Sequence, residues 1–178
     1  MVPFGQSPTG TVLGLVFTAL LIAAAVGDFQ TRRIPNRLVL AIAILGLGAS
    51  IVVEPVGAGL FRAVTGFLVG LGLWLPFYLL RWLGAGDVKL FAAAAAWLGP
   101  VAALEGALVG ACSGALLALL WMIGARGVKR TAETLGMATG APAILTPHSS
   151  SVRSTLPYGI PIAFGALWAG WLPGMFFA

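Results

Sequence analysis

Long stretches without charged residues constrain the fold of this chain more than any other feature. A membrane-spanning helix needs about 20 mainly apolar residues, with about 17 as the lower limit. Uncharged or nearly uncharged segments of this kind lie at 11–27, 38–53, 63–80, 88–124 and 156–178. The fourth segment is too long for one crossing, and its Gly99-Pro100 pair is a typical helix breaker, so it predicts two helices. We therefore predict an all-α, polytopic membrane protein with about six transmembrane helices.

The composition supports a membrane protein and excludes both a water-soluble globule and a disordered chain. Only 8% of the residues are charged and 60% are apolar, whereas about a quarter of a soluble domain is charged. We expect a single domain over residues 1–178. The segment 124–155, which contains Gly, Thr, Ser and Pro, is predicted to be a partly flexible cytoplasmic loop. The first helix is expected to remain, because no basic residue precedes it as in a signal peptide.

The distribution of basic residues predicts the orientation in the membrane. Lys and Arg near membrane spans tend to stay on the cytoplasmic side. Nine of the ten basic residues fall in the loops after helices 1, 3 and 5. Only Arg62 lies on the other side, with Glu54 predicted as a solvated charge in the same loop. Both termini are therefore expected to be periplasmic, and the net charge of +5 reflects topology and not a nucleic-acid partner.

Glycines spaced four residues apart predict close packing between helices. Gly66 and Gly70 lie in helix 3, and Gly106, Gly110 and Gly114 lie in helix 5. Small residues at this spacing let two helix backbones approach each other. We interpret them as packing positions without a chemical role.

Two of the five carboxylates are candidates for chemistry. Asp28 is predicted to follow helix 1 directly, and Asp87 to precede helix 4, which places both on the cytoplasmic side. Acids at the edge of the hydrocarbon are costly to desolvate and are often functional. The alternative is structural, since Asp87 at the start of helix 4 would also serve as a helix cap.

A pair of carboxylates can hydrolyse a peptide bond without a covalent intermediate. Two acids close together in a site of low dielectric do not both ionise easily, so one holds a proton while the other stays charged. The ionised acid would act as general base on a water molecule. The protonated acid would donate to the carbonyl oxygen and later to the leaving nitrogen. Asp28 and Asp87 are therefore predicted to form a catalytic pair.

The sequence contains few residues from which another kind of catalytic site could be formed. The only histidine is His148 in the polar loop, and Cys112 and Ser113 lie in an apolar helix without an evident base. A Ser-His-Asp or Cys-His site would have to be assembled from these residues. The chain has one histidine, one cysteine and few acids as possible metal ligands, so we expect neither a metal nor another cofactor.

Several residues near the two acids are predicted to support them. Gly84 and Gly86 would let a substrate backbone or a facing helix approach Asp87 closely, although they could also form an ordinary loop. After Asp28, Pro35 would set the entry to helix 2 and Asn36 could cap that helix.

The motifs together resemble the type IV prepilin peptidases, aspartic proteases of the bacterial inner membrane. The matching pieces are Asp28 with the following Ile34-Pro35-Asn36, the stretch Gly84-Ala85-Gly86-Asp87-Val88-Lys89-Leu90, and the late Pro157-Tyr158-Gly159. This resemblance implies that Asp28 and Asp87 are the catalytic pair. It also implies prepilin or pseudopilin substrates, cut at the cytoplasmic face between a basic leader and an apolar helix, usually after a glycine.

The sequence departs from the larger, bifunctional members of that family. Those members carry an added cytoplasmic region with four cysteines and also methylate the new amino terminus. Here the first cytoplasmic loop is short and Cys112 stands alone. The chain therefore resembles the short, peptidase-only form associated with tight-adherence (Tad or Flp) pili, and no methyltransferase activity is expected.

Lys89 also matches the family pattern, and two interpretations of it stay open. A cation near the pair would favour the ionised acid. Equally, Lys89 could be an anchor at the cytoplasmic end of a helix.

Three alternative functions remain at this point. A preflagellin-type leader peptidase of archaea has the same glycine-flanked aspartate. A small transporter could use intramembrane acids to bind protons or cations, although acids at one face suit a transporter less well than acids at the midplane. A non-catalytic pilus assembly protein would not require both aspartates.

Overall fold

The structure is a computed structural model that describes the backbone of residues 4, 6–31, 35–80, 83–139 and 159–172. The side chains of these residues are described as well, apart from those of 31 and 121–139. The described part contains six helices and no strand. The helices are α1 (Pro8–Thr31), α2 (Asn36–Val53), α3 (Val56–Leu79), α4 (Ala85–Leu98), α5 (Pro100–Thr139) and α6 (Gly159–Trp171).

Four of these helices are long and apolar enough to cross a membrane. They are α1 over Pro8–Gln30, α2, α3, and α5 over Pro100–Leu120. Large apolar side chains on their outer faces are exposed, as are Leu15, Ile44 and Leu68 at 58–60%. Such exposure is unfavourable in water and ordinary in lipid. The predicted all-α, polytopic membrane protein is therefore confirmed, while α4 with 14 residues and α6 with 13 are shorter than a full crossing.

The described residues fall into two compact units. The first contains residues up to Gly114 together with α6, and the second begins at Ala115. The prediction of a loop over residues 124–155 is wrong for residues 124–139, because α5 continues as a helix to Thr139. Residues 124–139 contain three alanines, two arginines, Lys129 and Glu133, which favour helix and outweigh the cost of three separate glycines. Residues 140–155 lie outside the described part.

The centre of the first unit is α4, which packs against α2, α3 and α6. From Leu90 to Leu98 its side chains are all buried, including five consecutive alanines at 92–96. A Cβ atom added at Gly66 of α3 would overlap the backbone oxygen of Ala95, and one at Gly70 would lie 2.5 Å from the Ala95 Cβ. The predicted close approach at Gly66 and Gly70 is therefore confirmed, and it brings α3 into contact with the α4 backbone.

The buried C-terminal end of α4 receives hydrogen bonds from neighbouring helices. Arg62 of α3 donates from Nη2 to the carbonyl oxygens of Trp97 at 2.9 Å and Leu98 at 3.2 Å. Ser50 of α2 donates to the Ala96 oxygen at 3.3 Å. The last carbonyls of a helix have no partner within it, so these side chains replace the missing donors.

Arg62 also forms an ion pair that the sequence did not predict. Its Nη1 lies 3.2 Å from Oε1 of Glu54, which follows α2 directly. The prediction of Glu54 as a solvated loop charge is therefore wrong. The Arg62 side chain lies across Gly99, the positive-φ residue at which α4 ends (φ 79°), and the Glu54 carboxylate beside it pairs this half-buried charge.

We predict that Arg62→Met destabilises the protein more than Glu54→Gln does. Loss of Arg62 leaves two buried carbonyls without a donor, which costs about 1–3 kcal/mol. Loss of the Glu54 charge leaves those two hydrogen bonds in place and removes a partly exposed ion pair worth about 1 kcal/mol or less. Thermal unfolding of both variants in the same detergent measures the difference, and equal destabilisation would contradict the assigned role of Arg62.

Candidate active site

Asp28 lies inside α1, in its last turn, and is buried with 7% of its surface exposed. The prediction that Asp28 follows helix 1 is therefore wrong. The apolar run ends at Gly27, but the helix continues because its backbone hydrogen bonds do not depend on hydropathy. The Asp28 side chain meets another helix, since its Oδ2 accepts the N–H of Gly159 at 3.0 Å.

Asp87 lies in the first turn of α4, as the third residue of that helix. Its Oδ2 accepts the N–H of Gly84, the residue before the helix, at 3.3 Å. The expected capping role is therefore confirmed, whereas the prediction that Asp87 precedes helix 4 is wrong. A carboxylate in the first turn also interacts favourably with the helix dipole.

The packing of the helices brings both acids to the same end of the first unit. The C-terminal end of α1 carries Asp28 and meets the start of α6 at Gly159. The opposite end of α6 meets the start of α1, where the Phe4 N–H donates to the Gly170 oxygen at 3.4 Å. Gly170 also lies next to Leu98, the last residue of α4. The first turn of α4, with Asp87, is therefore at the Asp28 end.

The two carboxylates interact electrostatically. Asp87 lies outside the four helices that can cross a membrane. Burial raises the pKa of Asp87 from 3.8 to about 6, the negative charge of Asp28 adds to this rise, and the hydrogen bond from Gly84 opposes it. A like charge acts in this way only at short range. Asp87 therefore holds its proton to a higher pH than an ordinary aspartate, beside a second acid.

The other predicted residues around Asp87 occupy different surroundings. Gly84 is exposed and donates to the Asp87 carboxylate, and Gly86 is half-buried in the first turn of α4. Lys89 is exposed. It lies two residues from Asp87, and residues at this spacing do not face each other on a helix. The roles of Gly86 and Lys89 remain predictions.

Pro35 and Asn36 are both exposed at the start of α2. Pro35 is the N-cap residue with φ −61° and ψ 126°, and its oxygen accepts the N–H of Leu38 at 3.0 Å. Asn36 is already the first helical residue, and no side chain caps the helix. The prediction that Asn36 caps α2 is therefore wrong, because the extended proline occupies the cap position. A role of either residue near the substrate stays a prediction.

Other reactive side chains in the described part have structural partners or stand apart. The Ser113 hydroxyl donates to the Gly110 oxygen of its own helix at 3.1 Å. Cys112 is exposed. Among the described residues, no three His, Cys, Asp or Glu side chains group so that they could hold a metal ion. His148, Pro157 and Tyr158 lie outside these residues.

Gly159 is a residue of the site that the search for reactive side chains did not identify. Its N–H contacts Asp28, although the two residues are separated by 131 positions in sequence. The sequence signal for Gly159 is the Pro157-Tyr158-Gly159 motif, which is part of the resemblance to the type IV prepilin peptidases. A backbone donor has no side-chain chemistry, so residue type alone does not reveal it.

The sequence matches the type IV leader peptidase family (Peptidase_A24) over residues 15–120. This range contains both Asp28 and Asp87 and makes up more than half of the chain.

Individual proteins with related sequences have consistent descriptions. A "type 4 prepilin-like proteins leader peptide-processing enzyme" of Escherichia coli O78:H11 is 35% identical over 116 residues, covering 60% of this chain and 42% of that protein. A "prepilin leader peptidase/N-methyltransferase" of Pectobacterium carotovorum is 32% identical over 133 residues, 71% of this chain and 46% of that protein. One of Aeromonas salmonicida is 36% identical over 120 residues, 62% of this chain and 41% of that protein.

The chain spans less than half the length of these three relatives. No solved structure matches it. The family match nevertheless includes the ends of α1 and α4 that carry the two acids. Since it covers more than half of the chain, this protein belongs to the type IV leader peptidase family.

Proposed function

We propose that this protein is an aspartic endopeptidase that removes the leader peptide from prepilin-like precursors, with Asp28 and Asp87 as its catalytic pair. The observation that carries the proposal is the raised pKa of Asp87, about 6, which is due first to burial and second to the negative charge of Asp28. Perturbed acids of this kind are typical of catalytic sites. Membership of the leader peptidase family supports the substrate class.

The surroundings of the two acids suggest different roles for them. Asp87, with its raised pKa, is suited to hold the proton and act as general acid. Asp28 receives a backbone N–H, and such a hydrogen bond is strongest with an ionised carboxylate. Asp28 is therefore assigned the role of general base.

The reaction then needs one water molecule and no covalent intermediate. Asp28 removes a proton from the water as its oxygen attacks the scissile carbonyl carbon, and Asp87 donates its proton to the carbonyl oxygen. When the resulting diol collapses, the proton on Asp28 passes to the leaving nitrogen and the C–N bond breaks. Asp87 recovers a proton from a diol hydroxyl, so both acids return to their starting states.

The cleavage side is proposed to be cytoplasmic, in a bacterial inner membrane. Basic residues cluster in sequence near the site, at Arg32, Arg33 and Arg37 after Asp28 and at Lys89 after Asp87. Short loops rich in Lys and Arg tend to stay in the cytoplasm. A precursor would present its basic leader there, with its apolar helix in the bilayer, and we propose cleavage after a glycine between the two.

We further propose a peptidase without methyltransferase activity, of the kind associated with tight-adherence pili. Two of the relatives described above are named as both peptidase and N-methyltransferase. In this chain only four residues separate α1 from α2, and Cys112 is the one cysteine. The cysteine pairs of the bifunctional enzymes therefore have no counterpart in the sequence.

We predict that Asp28→Asn and Asp87→Asn each reduce cleavage by about 10²–10⁴-fold, the usual contribution of a general acid or base. Asparagine has nearly the same shape as aspartate, so the variants should fold. The assay uses a purified prepilin with a basic, glycine-ended leader, and mass spectrometry of the product reports both the cleavage site and any added methyl group. Glu54→Gln, which changes an acid at the other end of α4, serves as the matched control and retains cleavage. Full activity in either aspartate variant would overturn the catalytic pair.

We predict that cleavage by the wild-type enzyme decreases as the pH rises above about 6. The general acid must be protonated, and the raised pKa of Asp87 extends its protonated form from about pH 4 up to about 6. At higher pH, kcat/KM should fall about tenfold per pH unit. The measurement is a pH profile of kcat/KM in detergent with the same precursor. A profile that rises steadily from pH 6 to 8 would rule out Asp87 as the general acid.

A further inference from the structure

The Asp28 side chain packs directly against the backbone of α6 at Gly159. The Gly159 N–H donates to Oδ2 of Asp28 at 3.0 Å, in a buried position. A Cβ atom added at Gly159 would lie 2.7 Å from that oxygen and 3.0 Å from the Asp28 Cβ. A Cβ contact of 2.7 Å is essentially never seen in proteins, and one of 3.0 Å is rare. The donor can therefore reach the carboxylate only because residue 159 has no side chain.

The position of α6 along α1 is fixed by contacts away from the site. The Trp171 indole N–H donates to the Thr18 hydroxyl at 3.1 Å. Between these ends, a Cβ atom at Gly165 of α6 would overlap the backbone oxygen of Gly106 in α5. α6 is thus held at its far end and packed tightly at its middle. A side chain at 159 would be accommodated mainly by movement of the Asp28 carboxylate.

We propose that Gly159 is a positioning residue for Asp28, and that its N–H fixes the orientation of the carboxylate that activates water. This inference rests on the proposed function, in which Asp28 is the general base. The hydrogen bond fixes Oδ2 and thereby the direction of the other oxygen, Oδ1. The donor is also the first residue of α6, where the positive end of the helix dipole favours a negative charge. Asp28 is therefore held before the substrate arrives.

The first test is Gly159→Ala. Displacement of a catalytic group by about 1 Å can reduce the rate about a hundredfold, so kcat should fall by about this factor while KM stays close to that of the wild type. Gly48→Ala is the matched control, because a Cβ atom at Gly48 of α2 has no neighbour within 4 Å. This control should retain wild-type kcat, and the unfolding temperature of both variants in detergent reports whether they are folded.

The second test observes the hydrogen bond without any activity measurement. Of the two tyrosines in the chain, only Tyr158 precedes a glycine. Labelling Tyr with ¹³C at the carbonyl and Gly with ¹⁵N therefore selects the Gly159 amide in the NMR spectrum of the full chain. In Asp28→Asn, its proton signal should move upfield, because a neutral oxygen accepts a weaker hydrogen bond than a carboxylate. If Gly159→Ala does not fold, this measurement tests the positioning role of Gly159 by itself.

The possible outcomes separate this inference from the proposed function. A folded Gly159→Ala variant with wild-type kcat, or a Gly159 amide signal that is unchanged in Asp28→Asn, overturns the positioning role. If Asp28→Asn is inactive in the same experiments, the aspartic mechanism is retained without a positioning role for Gly159. If Asp28→Asn cleaves normally, the proposed function fails and the positioning role fails with it.

Discussion

The close packing of α4 inside the first unit is the constraint on which the candidate site depends. Glycines at 66 and 70 of α3 lie against the alanine-rich centre of α4, where larger side chains would separate the helices. Without a hydrophobic driving force between helices in lipid, such van der Waals contact and a few interhelical hydrogen bonds provide the attraction. This packing determines where the start of α4, which carries Asp87, lies within the first unit.

The two ends of α4 show how one short helix serves both stability and chemistry. At its C-terminal end, Arg62 and Ser50 satisfy carbonyls that would otherwise be buried without donors. At its N-terminal end, about 21 Å away for 14 residues, Asp87 is half-buried and interacts with Asp28. The charged groups that stabilise the fold are therefore kept apart from those proposed to react.

Hydropathy and charge predicted much of the fold and the main residues of the site. Within the part of the chain that the structure describes, six helices occur in the predicted order, because apolar segments have few alternatives to helix in a membrane. The pair Asp28 and Asp87 could be selected because the chain has so few acids. The Asp28 environment could not be predicted, since the helix continues beyond the apolar run and its partner Gly159 is distant in sequence. The pairing of Arg62 with Glu54 likewise depends on how α2, α3 and α4 pack.

The ends of the helices were the other features that the sequence did not predict correctly. Asn36 is a favourable cap by residue type, but Pro35 occupies that position in an extended conformation. The polar segment from Gly124 was expected to be a loop, yet α5 continues to Thr139. At the start of α2 the extended backbone of Pro35 decided the boundary, whereas in α5 the residues that favour helix outweighed the glycines.

The most direct test of the aspartate pair is the titration of the two aspartates themselves. Asp28 and Asp87 are the only aspartates in the chain, so ¹³C labelling of Asp carboxyl groups gives two NMR signals for this chain. The pair predicts that Asp87 titrates near pH 6 in the wild type, and that its pKa is lower in Asp28→Asn because the neighbouring negative charge is gone, although burial still keeps it above 3.8. An Asp87 titration that is the same with and without the Asp28 charge would show that the two acids do not form a pair, and would contradict the proposed mechanism.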